Sequence, residues 1–178
     1  MTRNAPSGLR RAADVSHSHR HARIVHKPFD RPATLEAERG RTHPRLQSGA
    51  LAYRRLNNGE ISVLVVGKRR SRKWGIPKGK AEPELSLSDN AAKEAFEEAG
   101  VRGQIGTEPL GTYRALKRVR GLKTVIEVWV YLLEVTETAT KWPEKDKREV
   151  RWCSPNEAAN LLQEPLLAEL CRRLADQS

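Results

Sequence analysis

The run Gly79-Lys-Ala-Glu-Pro-Glu-Leu-Ser-Leu-Ser-Asp-Asn-Ala-Ala-Lys93-Glu94-Ala-Phe-Glu97-Glu98-Ala-Gly100-Val101 decides the fold. Its last third carries Glu94, Glu97 and Glu98 at positions i, i+3 and i+4. Residues three and four apart are neighbours on a helix surface, so Glu94 faces both of the others. Each bare like-charge pair costs about 0.2–0.5 kcal/mol. A hard cation such as Mg²⁺ relieves that repulsion, and it is normally held by one or two carboxylates together with water and substrate phosphates. Taken alone, Glu-x-x-Glu-Glu is more often a solvated acidic stripe.

The flanks shift that balance. Ser86 and Ser88 can each cap a helix start, and Ser86 with Asp89 approximates a capping box. Ala91, Ala92, Ala95 and Ala99 are strong helix formers, and Gly100 sits where a left-handed cap belongs. The pattern predicts a helix over about 87–99. Upstream, Trp74-Gly-Ile-Pro77-Lys-Gly79-Lys80 cannot be helical, and Gly79 lets backbone approach a ligand closely.

With these residues in place the stretch resembles the Nudix box, Gly-x5-Glu-x7-Arg-Glu-aliphatic-x-Glu-Glu-x-Gly-aliphatic. Gly79, Glu94, Glu97, Glu98, Gly100 and Val101 fall in register, with Ala95 at the aliphatic position. Two positions depart: Leu85 replaces the first Glu, and Lys93 replaces the Arg. In the family these two help to shape the loop and orient the carboxylates, and Glu82 and Glu84 are nearby substitutes. The resemblance extends over about residues 47–170. It implies a Nudix α/β/α sandwich with a mixed sheet, and Mg²⁺-dependent cleavage of a phosphoanhydride, with Mn²⁺ as a substitute metal. Glu94, Glu97 and Glu98 are then the expected metal ligands, one of them doubling as the base. Water attacks phosphorus, and backbone near Gly79 seats the scissile group.

Positive charge frames this stretch. Lys68-Arg-Arg-Ser-Arg-Lys73 precedes it, Lys78 and Lys80 lie in its loop, and Arg114, Lys117, Arg118, Arg120 and Lys123 gather around a later turn. Either cluster could be only a solubilising surface. Beside a metal-binding triplet, however, Arg and Lys hold the phosphate charge that the metal leaves over, and so dense a rim suits a polyphosphorylated substrate. Leu132–Thr138, Trp142, Lys147-Arg-Glu-Val-Arg-Trp152 and the following Pro155-Asn-Glu-Ala-Ala resemble the C-terminal half of diphosphoinositol polyphosphate phosphohydrolases. That likeness assigns substrate phosphates to Arg70, Ser71, Arg72 and Lys123 by position. Pro77-Lys78-Gly79-Lys80, in contrast, is the loop usual in diadenosine polyphosphate hydrolases, and the substrate stays open between the two.

Composition bounds the remaining choices. A chain of 178 residues carrying +11 holds one ordinary domain and a tail. Residues 1–45 contain ten Lys or Arg against four acids and no apolar periodicity, so they are expected to form a basic, disordered arm, with the catalytic domain over 46–178. All five histidines lie in that arm, which excludes Ser-His, Cys-His and His-ligated zinc chemistry from the domain. No run approaches the roughly 20 apolar residues of a membrane span. No apolar signal core opens the chain, and Cys153 and Cys171 alone make no disulfide framework, so a cytoplasmic protein is expected. Strands are expected at 49–54 and 61–66 as a hairpin, at 110–117, at 123–135 as a buried central strand with Trp129 and Tyr131 in the core, and at 149–152. Helices are expected over 155–163, broken at Pro165, and over 166–175. Two rivals remain at this level: a nucleic-acid-binding module suggested by the charge, and a catalytically inactive nucleotide sensor suggested by Leu85 and Lys93.

Overall fold

The structure is a computed structural model, and it describes residues 44–71, 73–119 and 121–177. The basic arm lies outside this range except for its last two residues, as do Arg72 and Arg120. In chain order the elements are β1 (Arg45–Arg55), β2 (Ile61–Lys68), β3 (Trp74–Gly75), β4 (Lys78–Lys80), α1 (Leu87–Ala99), β5 (Val101–Ile105), β6 (Gly111–Val119), β7 (Leu122–Thr138), β8 (Arg148–Cys153), α2 (Pro155–Leu161) and α3 (Pro165–Ala175).

The apolar runs of β1 and β7 meet in the centre of one mixed sheet, ordered β3-β2-β1-β7-β5. β1 and β2 form the expected antiparallel hairpin, with Tyr53 opposite Val63. β7 runs parallel to β1 from Arg45 opposite Ile126 to Tyr53 opposite Glu134. It also carries β6 and β5 antiparallel. β8 extends the other side by pairing with β2, and β4 pairs with the start of β1.

Alternation along β1 assigns the two faces. Ala50 and Ala52 join Leu64, Val66, Tyr131 and Leu133 under Ala91, Ala95 and Ala99 of α1. Leu51 and Tyr53 join Val63, Val65 and Val130 under Ala158 and Ala159 of α2 and Leu167, Leu170 and Leu174 of α3. Successive side chains of a strand point to opposite faces, so a strand apolar at every position must be covered on both sides. The result is the expected α/β/α sandwich. Small residues on both partners bring α1 close to the sheet, and they fix the height of its acidic face above β1 and β4. Tyr131 is buried in the α1 layer, and Trp129 is partly buried, packed against that layer's edge.

Three strands escape the sequence pattern. β3 and β4 have only two and three residues, too few to show a period, and β5 is exposed at its three central positions. Pro165 opens α3 at its first turn instead of merely ending α2, which suits a residue without a backbone donor. Among the described residues, no helix is long and apolar enough to cross a membrane.

Candidate active site

Both ends of α1 are fixed by side chains. The Ser86 hydroxyl accepts the Asp89 amide at 3.0 Å and donates to the Asp89 carboxylate at 2.6 Å. At the other end Gly100 has φ 69°, and its amide reaches back to the Ala95 and Phe96 carbonyls. A Cβ at Gly100 would strike the Trp142 indole. From the segment between β7 and β8, the Glu144 amide donates to the Glu97 carbonyl at 3.0 Å. Arg148 then donates to Glu98 and, through Nε, to Glu144 Oε2 at 2.7 Å. The segment from Trp142 to Arg148 therefore grips the last turn of α1.

The three expected carboxylates occupy distinct environments. Glu98 is only 5% exposed. One of its oxygens takes the Arg148 guanidinium, while Oε2 is buried without a hydrogen-bond partner. Burial pushes its carboxyl up, against the opposing pull of Arg148 and Lys78. The Glu94 carboxylate presses against Gly79, filling the space where a Cβ at that position would stand. Burial, followed by the charges of Glu98 and Glu97, pushes Glu94 up to about 7. Glu97 is half-buried and has the Lys93 ammonium 3.5 Å away.

Lys78 completes the group. Burial lowers its pKa, Glu98 opposes that change, and the charges of Lys117 and Arg148 add to it. Crowded carboxylates and a desolvated ammonium therefore share one site.

The donor set fits a hard divalent cation. All its donors are carboxylate oxygens, Glu98 Oε2 is buried and unsatisfied, and the negative charges of Glu98 and Glu97 crowd Glu94. Among the described residues no three His, Cys, Asp or Glu side chains enclose an ion as they stand. Glu94, Glu97 and Glu98 are the residues that would hold it.

The remaining expected residues are placed as follows. Lys78 and Gly79 lie at the carboxylates, whereas Lys80 is exposed at the far end of β4. Arg70 and Ser71 occupy the turn after β2, where the Ser71 amide bonds the Lys68 carbonyl at 2.9 Å and the Ser71 hydroxyl accepts the Lys73 amide at 3.2 Å. That turn adjoins Arg148, because Lys68 pairs with Arg148 and the Arg69 amide reaches the Lys147 carbonyl at 3.3 Å. Arg70 is the one non-glycine with positive φ among the described residues, at 65°. Arg72 lies outside them. Lys123 stands opposite Arg118 and Lys117 opposite Thr124, so these lysines point to opposite faces of the β6–β7 hairpin. Lys117 is the hairpin cation whose charge reaches Lys78.

Sequence reasoning did not assign Arg148 and Glu144 to the site. Arg148 is 50 residues from Glu98, and only the β2–β8 register brings it there.

Residues 45–174 match the NUDIX domain, and the chain belongs to the Nudix family. It is 28% identical over 172 residues to Nudix hydrolase 13, mitochondrial, of Arabidopsis thaliana, covering 82% of this chain and 85% of that protein. It is 32% identical over 132 residues to diphosphoinositol polyphosphate phosphohydrolase 2 of Rattus norvegicus, covering 72% of this chain and 69% of that protein. Among solved structures, a C. elegans Ap4A hydrolase aligns with TM-score 0.54 at 20% identity, over 74% of this chain and 95% of that one, a likeness of fold alone. The chain is a Nudix hydrolase, of a family that uses divalent metal ions.

Proposed function

We propose that this Nudix hydrolase is Mg²⁺-dependent and cleaves a phosphoanhydride in a highly anionic small molecule, a diphosphoinositol polyphosphate before any other. The observation that carries this reading is the cationic surround of the carboxylates: Lys78 beside Glu94 and Glu98, Lys117 within electrostatic reach, and the Arg70 turn against Arg148. The diphosphoinositol polyphosphate phosphohydrolases among the relatives support it, at 32% identity for the Rattus norvegicus and Bos taurus proteins. A diadenosine polyphosphate is the second reading. Pro77-Lys78-Gly79-Lys80 favours it, since this loop lies directly on Glu94.

Bound metal supplies charge neutralisation at the phosphoryl oxygens and a lowered pKa for the attacking water. The protein's own residues do the rest. α1 presents the three carboxylates, and one of them accepts the water's proton. Backbone amides near Gly79, beside the Glu94 carboxylate, help to seat the scissile phosphate. Lys78 and the outer cations hold the phosphates that do not react and steer the leaving group. Two free, buried thiols, Cys153 and Cys171, favour a cytoplasmic setting.

The test compares diphosphoinositol pentakisphosphate, diadenosine tetraphosphate and a dinucleotide with a single diphosphate, assayed with Mg²⁺ and with Mn²⁺. Charge-assisted hydrogen bonds are worth about 1.5–3 kcal/mol each. Neutralising Arg70 and Lys117 together should therefore raise KM at least tenfold for the inositol substrate and much less for the dinucleotide. Equal and small losses on both would make the clusters mere solvated surface and remove the polyphosphate assignment.

A further inference from the structure

Leu85 and Lys93 depart from the family pattern together, and the structure gives the pair a joint explanation. Lys93 Nζ lies 2.5 Å from Glu82 Oε1 and 3.5 Å from Glu97 Oε1, bridging a loop carboxylate and a carboxylate of the catalytic helix. Glu82 is held for that task through its backbone. Its amide donates to Asn90 Oδ1 at 3.1 Å, and Asn90 Nδ2 donates to the Ser48 hydroxyl at 2.9 Å. Asn90 and Ser48 are 1% and 0% exposed, so a buried network ties the Glu82 main chain to both α1 and β1. Glu84, the other acidic candidate in the loop, is exposed.

We propose that Glu82, acting through Lys93, is a positioning residue for Glu97. The carboxylate that this box lacks at position 85 is supplied from three residues earlier in the loop. An ammonium is a compact charge with three rotatable donors, so one lysine can bond two carboxylates that approach from different directions. Fixing Lys93 from the loop side leaves its remaining donors aimed at Glu97, which keeps that carboxylate in a single orientation over the site. The pair is open to solvent on both sides, so it adds little to global stability. Its contribution should be visible in the site's chemistry while the fold is left alone.

The proposal rests on the reading that Glu97 serves Mg²⁺-dependent hydrolysis, and two readouts separate the failure of one from the failure of the other. The full chain is compared with Glu82→Gln, Lys93→Met, their double variant, and Lys93→Arg. Turnover is measured on diphosphoinositol pentakisphosphate, or on diadenosine tetraphosphate if that is hydrolysed faster, and Mn²⁺ affinity is measured by electron paramagnetic resonance without substrate. Partners that orient metal-binding groups typically affect affinity or activity by about 10–100-fold. Each single variant should lose about tenfold in kcat with substrate KM nearly constant, and should bind Mn²⁺ about tenfold more weakly. The double variant should be no worse than the weaker single one, because both break the same strut. Lys93→Arg should recover most of the loss. Unchanged kcat and Mn²⁺ affinity in an active protein would overturn the proposal, as would losses that multiply in the double variant. A wild-type chain that cleaves none of the phosphoanhydrides would overturn the functional reading on its own, while the Mn²⁺ measurement would still decide the strut.

Discussion

Gly79 shows how much a single residue decides here. With no Cβ it lets the Glu94 carboxylate rest on the β4 backbone, and any side chain would compete for that space. The opposing atoms are the far end of a flexible side chain, so Gly79→Ala should leave the backbone and thermal stability intact while moving the carboxylate. A displacement of about 1 Å at a reacting group can cost roughly 10²-fold. Steady-state kinetics on Gly79→Ala should show a kcat loss of that order, and a variant with wild-type kcat would remove Glu94 from the reacting geometry. The Glu94, Glu97 and Glu98 face was legible in the sequence because helical spacing is local information. Arg148 was not, because its place beside Glu98 depends on a pairing 50 residues away in the chain. Lys93 lay between these cases: its departure from the family pattern was visible, but its bridge from Glu82 to Glu97 depends on how the loop folds back onto α1.

At the scale of elements, α1 was read to the residue because its caps are written in side chains: Ser86 before it and a left-handed Gly100 after it. β3, β4 and β5 were not, since two to five residues, mostly exposed, show no period. Yet β4 carries Lys78 and Gly79, so the element least visible in the pattern is the one that lays backbone against the carboxylates. The end of α1 offers the sharper test. A residue with a side chain at Gly100 must keep φ near 69° and displace the rigid Trp142 ring. Non-glycine residues held in that region cost about 1–3 kcal/mol. Urea unfolding of Gly100→Ala should show a loss at the upper end of that range, with kcat falling as well because Glu144 and Arg148 lie on the same gripping segment. A variant as stable as wild type would show that the segment yields freely and does not fix the helix end.

For the whole molecule, the sandwich followed from alternation along β1, β2 and β7, and the charge from a plain count. The distribution of that charge did not. The hairpin lysines divide between two faces, and Lys117 is the one that senses Lys78. The arm is a separate matter. Residues 1–43 lack apolar periodicity and β1 begins at Arg45, so we propose that they are dispensable for chemistry. Deleting them should leave kcat and Tm nearly unchanged, and a deletion that unfolds the domain or abolishes turnover would make the arm part of the structure. The central claim is that metal held by the acidic face of α1 drives hydrolysis. It is tested most directly by phosphate release from diphosphoinositol pentakisphosphate and nucleotide release from diadenosine tetraphosphate across a Mg²⁺ titration, for wild type and for Glu97→Gln and Glu98→Gln. The account predicts release that requires Mg²⁺ and falls by about 10²–10⁴ in each variant at saturating metal, with the fold intact. Turnover that survives chelation, or that is unchanged in both variants, would contradict it.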